Sequence, residues 1–170
     1  MKNLFKVALI AVGIVFVGNF AKAQSKIGYI NFGLLVNQMP EYKTVKTQID
    51  LYQKQFIDQL TVMNTELQTK GQEYTKTQAT MTDAIRTAKQ TELQDIQKRM
   101  QDYQNNAQQQ VDAKTNELSK PMIDKARAAI AAVAKEKGYN YVLDSSQINM
   151  LVSPEGDDLL EPVKTKLGLK

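Results

Sequence analysis

Few side chains in this sequence could do covalent or metal chemistry. There is no histidine and no cysteine, which excludes thiol chemistry, disulfides, most nucleophile–base pairs and most transition-metal sites. The carboxylates lie mostly on predicted polar helix faces, where ion pairing with lysine is the expected role. The stretch "PEGDD" at residues 154–158 lacks the ligand spacing of a calcium loop and favours a turn with a helix cap. Without a glycine-rich phosphate loop either, the sequence predicts a non-catalytic protein with no metal and no other cofactor.

The N-terminal segment is typical of a secretory signal peptide. Residues 1–6 are basic, residues 7–20 form an almost unbroken apolar run, and "AKA" at residues 21–23 matches a cleavage pattern. Because the run is shorter than the roughly 20 residues that span a bilayer, we predict a signal peptide over residues 1–23 and no integral membrane anchor. Three lysines leave with it, so the formal net charge falls from +4 to +1. That near-neutral charge argues against a nucleic-acid partner.

Two apolar stripes with helical spacing occupy residues 40–120. Pro40 suits the first turn of the first helix, where its missing N–H is harmless. The threonine-rich segment 75–84 favours a turn, with Thr82 or Asp83 as the cap of a second helix. The simplest structure is a long antiparallel helical hairpin, a coiled-coil arm whose tip lies near residues 75–84.

Most of each arm helix is polar, so the arm is expected to be only marginally stable alone. Gly71 is an expected soft point, because glycine costs about 1 kcal/mol relative to alanine inside a helix. Soft or amphipathic side chains on the stripes suit contact with an unfolded chain, although hairpin packing is the better interpretation for any single one except Met81 at the tip. The candidates for this contact are Met63, Leu67, Tyr74, Met81, Ile85, Met100 and Tyr103.

The two ends of the mature chain, residues 24–39 and 121–170, predict a small body of strands and helices. The predicted strands are "KIGYINF" (26–32), "YNYVLDSS" (139–146) and "INMLVS" (148–153). The predicted fold class is therefore α+β and mostly α, with the long hairpin inserted between the strands of the body.

The first predicted strand has apolar residues on both faces, so both faces are expected to be buried. Pro121 suits either the first turn of a helix or a kink in a longer one, and a last amphipathic helix is predicted with Asp157 or Asp158 as its cap. A body this small, without disulfide or metal, is expected to need assembly. Charged substitutions at Ile30 and Leu143 should therefore dissociate it. The candidate contacts between copies are Ile27, Tyr29, Ile30, Tyr141, Leu143 and Met150.

Several motifs resemble the Skp (OmpH-like) family of periplasmic outer-membrane-protein chaperones. They are "KIGYINF" followed by "MPEYK" (39–43), and "ELSKPMIDKARAAIAAVAKEKGYNYVLDSS" (117–146). The resemblance covers nearly all of the mature chain, while the arm matches only in its pattern. It implies a periplasmic homotrimer with a small β-barrel-like base and three helical arms around a cavity. It also implies an ATP-independent holdase for unfolded outer-membrane proteins.

By the same resemblance, residues 62–103 would reach the client and the strands would carry the trimer contacts. One departure from the family is the charge of the arm, since arms of well-known members are strongly basic. Residues 60–115 here carry seven basic and seven acidic side chains, which puts lipopolysaccharide binding in doubt. The alternative function is a structural coiled-coil spacer or adaptor that docks one folded partner.

Overall fold

A computed structural model describes residues 25–169, and the predicted signal peptide at residues 1–23 lies outside this range. Two long helices dominate the described chain, and two short strands lie near its ends. The mostly helical α+β fold class predicted from the sequence is confirmed. The elements are β1 Ile27–Ile30, α1 Phe32–Gln38, α2 Pro40–Thr77, α3 Asp83–Lys137, β2 Tyr141–Asp144 and α4 Leu160–Leu167, with 3₁₀ turns at Gln78–Thr80 and Glu155–Asp157.

The chain divides into two compact units, which we call the body and the hairpin. The body comprises the described residues of 1–35 together with 127–170, and the hairpin comprises residues 36–126. The boundaries between the units fall inside α1 and α3, so each of these helices contributes residues to both units.

In the body, β1 and β2 form a parallel two-stranded sheet in which Ile27 pairs with Tyr141. Parallel strands cannot be joined by a tight turn, and here the connection contains both long helices. Gly28 lies on the buried face of β1, where an added Cβ would lie 3.1 Å from Cδ1 of Tyr139. A larger residue at this position would therefore crowd the buried tyrosine ring.

The body core lies on one face of this sheet. Along β1, burial alternates with strand period, so that Gly28 and Ile30 are buried while Ile27 is 50% exposed. The expected burial of both faces of this strand is therefore not reached within one copy of the chain. The buried side chains of the body are Ile30, Leu35, Ala129, Val133, Tyr139, Leu159 and Val163.

The third predicted strand, at residues 148–153, is wrong, because these residues have no strand structure. Beside β1 the chain instead forms a single parallel bridge between Tyr29 and Asp158, and the N–H of Leu159 donates to the Tyr29 carbonyl at 2.9 Å. Residues with high β propensity form a strand only where a neighbouring strand completes their hydrogen bonds. The described chain offers residues 148–153 no such neighbour.

In the hairpin, α2 and α3 run antiparallel, as predicted. Tyr52, in the first half of α2, lies 3.3 Å from Gln110, while Tyr74, near the end of α2, accepts a hydrogen bond from Gln90 at 2.8 Å. Residues further along α2 thus contact residues earlier in α3, which is the antiparallel arrangement.

The break between the two helices lies at residues 78–82. Thr82 immediately precedes α3, and its Oγ1 accepts a hydrogen bond from the N–H of Ile85 at 3.4 Å. The Thr82 carbonyl also accepts from the N–H of Arg86 at 2.9 Å. Of the two predicted caps, Thr82 therefore fills the position, since a threonine hydroxyl can replace one missing helical acceptor.

Both residues expected to interrupt a helix lie inside a continuous one. Helix α2 continues through Gly71, and Pro121 lies in the interior of α3. The first-turn alternative for Pro121 is therefore wrong, because the proline lies within a longer helix. Proline has no N–H, so the carbonyl of Glu117 loses its usual helical donor. The neighbouring Met122 is buried, which provides packing at this point of the helix.

We expect Gly71→Ala to stabilise the hairpin by about 0.5–1 kcal/mol, because alanine loses less backbone entropy than glycine on entering a helix. Nothing lies within 4 Å of the position that the added Cβ would occupy. Urea unfolding followed by circular dichroism measures the change, and an unchanged or lower midpoint would contradict it.

Gly138→Ala is the matched control, for which the opposite sign is expected. Gly138 has φ +73° after the end of α3, and the next residue, Tyr139, donates its N–H to the Ala134 carbonyl at 2.9 Å. This is a Schellman cap, whose left-handed position disfavours a residue with a Cβ. The alanine variant should unfold at lower urea than the unsubstituted chain.

Candidate functional site

The seam between α2 and α3 is built from aromatic and aliphatic side chains. The Phe56 ring meets Tyr52 edge-on with 5.2 Å between ring centroids and meets Tyr103 across the seam at 6.0 Å. On α3 the buried residues of the hairpin are Ile96, Ala107, Met122 and Ala126, whereas no residue of α2 is fully buried. Because only two helices meet here, the seam is open along both edges and most of its side chains remain half-buried.

Six of the seven candidate client-contact residues are half-buried: Met63, Leu67, Tyr74, Met81, Met100 and Tyr103. The seventh, Ile85, is 50% exposed at the start of α3. Met81, at the break between the helices, was expected to have little to pack against, but it too is half-buried. Each half-buried side chain offers only part of its apolar surface to another molecule.

Sequence reasoning missed three apolar side chains on α2 that are more exposed than most of the candidates. Leu51, Ile57 and Val62 are 59%, 52% and 61% exposed. They lie outside the stripe that faces α3, so hairpin packing does not use them. The helical spacing in the sequence could have identified them. A large apolar residue outside the stripe that faces the partner helix cannot pack in the seam.

The charged side chains of the hairpin neutralise one another. Residues 36–126 carry twelve basic and twelve acidic side chains, and ten of the basic ones form ion pairs. A surface of paired charges has a weak field beyond a Debye length of about 10 Å. The pairs are Lys46–Asp50, Lys54–Asp58, Lys70–Glu92, Arg86–Asp83, Lys89–Glu92, Lys98–Asp102, Arg99–Glu66, Lys114–Glu117, Lys120–Asp124 and Lys125–Glu41.

Two of these pairs converge on one carboxylate. Glu92 on α3 accepts hydrogen bonds from Lys70 of α2 and from Lys89 of its own helix. The hydrogen bond from Lys70, followed by that from Lys89, holds the pKa of Glu92 below its ordinary value. The same contact with Glu92 raises the pKa of Lys70. Both groups therefore stay charged and paired at neutral pH.

The body presents an apolar sheet face that the chain itself leaves uncovered. Ile27, Tyr141 and Leu143 are 50%, 61% and 41% exposed, and Tyr29 is half-buried on the same face. These four side chains are the paired residues of the parallel register, so they form one continuous patch, which we call the outer sheet face.

Ile30, one of the six candidate contacts between copies, lies on the opposite side of the sheet and is only 2% exposed. The expectation that a charged substitution there would test assembly is corrected, because the substitution would first disrupt the body core. Met150, another candidate, is half-buried in the segment 148–153.

The same segment holds the most exposed apolar side chains of the body. Leu151 and Val152 are 89% and 87% exposed, and Ile148 is 47% exposed. Such a concentration of apolar surface on a short segment is typical of a site that another chain covers.

Tyr139 fastens the chain before α4 to the body core. Its hydroxyl donates to Asp157 Oδ1 at 2.9 Å and lies 3.1 Å from the Gly156 carbonyl. The Lys26 ammonium lies 3.9 Å above the Tyr139 ring, which adds a cation–π contact. Burial, with the neighbouring Asp157 carboxylate, raises the pKa of Tyr139, so the hydroxyl remains a donor at neutral pH.

Asp144 joins the end of β2 to the start of α1. Its Oδ1 accepts from the N–H of Phe32 at 3.2 Å, the N–H of Ser146 at 2.9 Å and the Ser146 hydroxyl at 2.7 Å. Burial opposes its ionisation, but the hydrogen bonds from Ser146 and Phe32 outweigh burial and hold the pKa of Asp144 below its ordinary value.

Within residues 25–169, no group of three or more acidic side chains is placed to hold a metal ion. None of the helices in this described part has the length and apolar character needed to cross a membrane.

Comparison with known proteins gives a consistent result. The sequence model of the family "Outer membrane protein (OmpH-like)" matches residues 26–167. Outer membrane protein 26 of Haemophilus influenzae is 29% identical, over 96% of this chain and 93% of its own length. Chaperone protein Skp of Photorhabdus luminescens is 26% identical over 90% and 92% of the two chains, and Chaperone protein Skp of Yersinia enterocolitica is 26% identical over 91% and 95%.

Among solved structures, an OmpH-like protein of Caulobacter crescentus CB15 superposes with a TM-score of 0.62. The two chains are 18% identical, and the match covers 86% of each. At this identity the likeness shows a shared fold.

We expect Asp144→Asn to lower the free energy of unfolding by about 1 kcal/mol at neutral pH, because the charged acceptor is lost. A carboxylate whose pKa is depressed on folding stabilises the protein above its unfolded pKa of about 4, and this contribution fades as the pH falls through the lowered folded value. The difference between the variant and the parent should therefore shrink in acid.

Urea unfolding at pH 7 and at several acidic pH values measures this difference. The control is Asp58→Asn, since Asp58 is an exposed partner of Lys54 on α2 and should show almost no effect. A constant difference at all pH values would show that Asp144 contributes through packing instead of charge.

Proposed function

The chain belongs to the family of OmpH-like outer membrane proteins, and from this premise we propose that it is an ATP-independent periplasmic holdase for unfolded outer-membrane proteins. The observation that carries the proposal is the match of the family over residues 26–167, together with relatives named Skp chaperones over about nine-tenths of the chain. The sequence has no histidine and no cysteine, and therefore few side chains that could act as a nucleophile or a general base. This agrees with a protein that binds without catalysing a reaction.

The hairpin supplies a surface suited to holding an unfolded chain. Exposed apolar side chains such as Leu51, Val62 and Ile85 stand apart from one another on an otherwise polar surface. Each one can bury part of an apolar client side chain, worth roughly 25 cal/mol per Å² removed from water. Many weak, separate contacts retain a client without forcing one conformation on it.

We also propose that the working form is a homotrimer joined through the bodies, with the client held between the hairpins of three copies. The outer sheet face and the exposed segment 148–153 support self-association, because both leave apolar surface that a single copy does not cover. Closed rotational assemblies bury such surfaces without leaving a free end.

The paired charges of the hairpin support recognition by apolar contact instead of long-range attraction. With equal numbers of acidic and basic side chains and ten ion pairs, the hairpin has little net field to attract an anionic polymer. Lipopolysaccharide is therefore not proposed as a ligand.

The first prediction is that residues 24–170 suppress the aggregation of several urea-diluted outer-membrane β-barrel proteins at roughly stoichiometric amounts. Because apolar contacts are not screened by ions, the suppression should change by less than about twofold between roughly 0.05 and 0.5 M salt. Light scattering of the client against chaperone concentration measures both effects.

Two outcomes would count against this function. Failure to protect any β-barrel protein, combined with capture of one folded partner, would favour the spacer or adaptor function. Protection that disappears at high salt would retain the holdase but overturn recognition by apolar contact.

The second prediction concerns assembly. Multi-angle light scattering of residues 24–170 should give about three times the chain mass, and Leu143→Lys should lower it towards one chain mass by placing a charge on the outer sheet face. The control is Leu34→Lys, which lies on α1 of the same body with nearly the same exposure, 42% against 41%. A parent that is monomeric, or equal dissociation by both variants, would contradict the assigned interface.

A further inference from the structure

The hairpin carries a furrow along one edge of the seam that the function above does not assign. Two adjoining grooves between α2 and α3 meet at Leu118 and share it as a wall residue. We call this the α2–α3 furrow and define it by residues that line it: Glu41, Val45, Gln48, Leu51 and Gln55 on α2, with Leu118 on α3. These α2 positions recur every three or four residues, so they line one side of the helix for about 20 Å.

The floor of the furrow is apolar, and its rim combines amides with two lysines, Lys125 and Lys114, which are ion-paired with Glu41 and Glu117. Val45 and Leu118 are half-buried, while Leu51 is 59% exposed and projects most of its apolar surface to solvent. The exposed side chains of Gln48 and Gln55 border the same groove. Amide groups donate and accept hydrogen bonds without a net charge, so the rim suits a ligand rich in neutral polar groups.

At one end of the furrow, Glu41 holds an acceptor that no other residue of the described chain satisfies. Its Oε1 accepts from Lys125 Nζ at 2.5 Å. Its Oε2 is buried and accepts no hydrogen bond from any other residue of the described chain. The hydrogen bond from Lys125 holds the pKa of Glu41 below its ordinary value, so the group remains a charged acceptor. An N–H donor brought by a ligand would give this oxygen a hydrogen bond from a second molecule.

We propose that the α2–α3 furrow binds an extended polypeptide segment in which apolar and polar residues alternate. At about 3.3 Å per residue, the furrow accommodates roughly six residues of extended chain. Alternate side chains then meet the apolar floor, and backbone N–H groups face Glu41 and the glutamine rim. An unfolded segment of a membrane β-strand has this pattern, whereas an anionic ligand would find both lysines of the furrow already paired with carboxylates, Lys125 with Glu41 and Lys114 with Glu117. This proposal rests on the proposed holdase function and assigns the furrow as one surface through which the hairpin binds its client.

The experiment compares Leu51→Gln with Ile57→Gln in the full mature chain. Both residues lie on α2 with similar exposure, 59% and 52%, but Leu51 lines the furrow and Ile57 does not. The probe is a fluorescein-labelled peptide of about ten residues with alternating valine and threonine, and its binding is measured by fluorescence anisotropy. A second probe carries methyl groups on its backbone nitrogens and therefore lacks N–H donors.

Leu51→Gln should lower the affinity for the peptide about threefold to tenfold, as expected for losing part of one leucine contact. Ile57→Gln should leave this affinity unchanged. The N-methylated peptide should bind more weakly to the parent chain. Equal effects of the two variants, or no peptide binding by the parent, would overturn the furrow as a binding site. Circular dichroism of both variants checks that helix content is preserved.

Further readouts separate this inference from the proposed function. The parent chain and Leu51→Gln could suppress β-barrel aggregation equally and bind the peptide with equal affinity. That result would support the holdase function and overturn the furrow as a binding site. If the parent suppresses no aggregation, the holdase itself fails. If Leu51→Gln changes the mass of the assembly, the furrow holds a second copy of the chain, which also overturns the proposal.

Discussion

Two helices packed only on each other cannot fully bury the stripe between them, and this limit governs the rest of the molecule. No residue of α2 is fully buried, although apolar residues follow its seam through most of its length. The chain contains no cysteine to cross-link the helices. Ion pairs along the helices and across the seam, such as Lys70–Glu92, satisfy the polar faces but each adds little stability at an exposed site. The hairpin therefore combines a modest interior with a long accessible surface.

That surface has a chemistry suited to holding an unfolded chain. Charges are present in equal numbers and mostly paired, so they keep the hairpin soluble without selecting a charged ligand. The apolar side chains outside the seam are separated by glutamine and threonine, and the α2–α3 furrow combines an apolar floor, a rim of amides and ion-paired lysines, and an acceptor that no other residue of the described chain satisfies. Under the proposed function, such a surface would retain many different extended segments, because none of its contacts depends on one particular sequence.

The body has a related imbalance. Its two-stranded sheet buries Gly28 and Ile30 on one face but leaves Ile27, Tyr141 and Leu143 exposed on the other. A pair of strands is marginal by itself, and a further layer is normally needed for stability. The body is therefore stabilised on its inner face by its own helices, while its outer face is the surface to which self-association is assigned.

The sequence by itself determined the α+β class, the antiparallel hairpin, the cap of α3 at Thr82 or Asp83 and the family motifs. These features depend on periodicity, capping and local residue types, which act between neighbours along the chain. It placed Ile30 among the contacts between copies and a strand at residues 148–153, and it did not identify Leu51 or the furrow. Those features depend on which side of a strand meets the core, on whether a partner strand exists, and on how two helices are matched along the seam. Only the tertiary structure decided them, because one extended segment has the same local preferences with or without a neighbour to complete its hydrogen bonds.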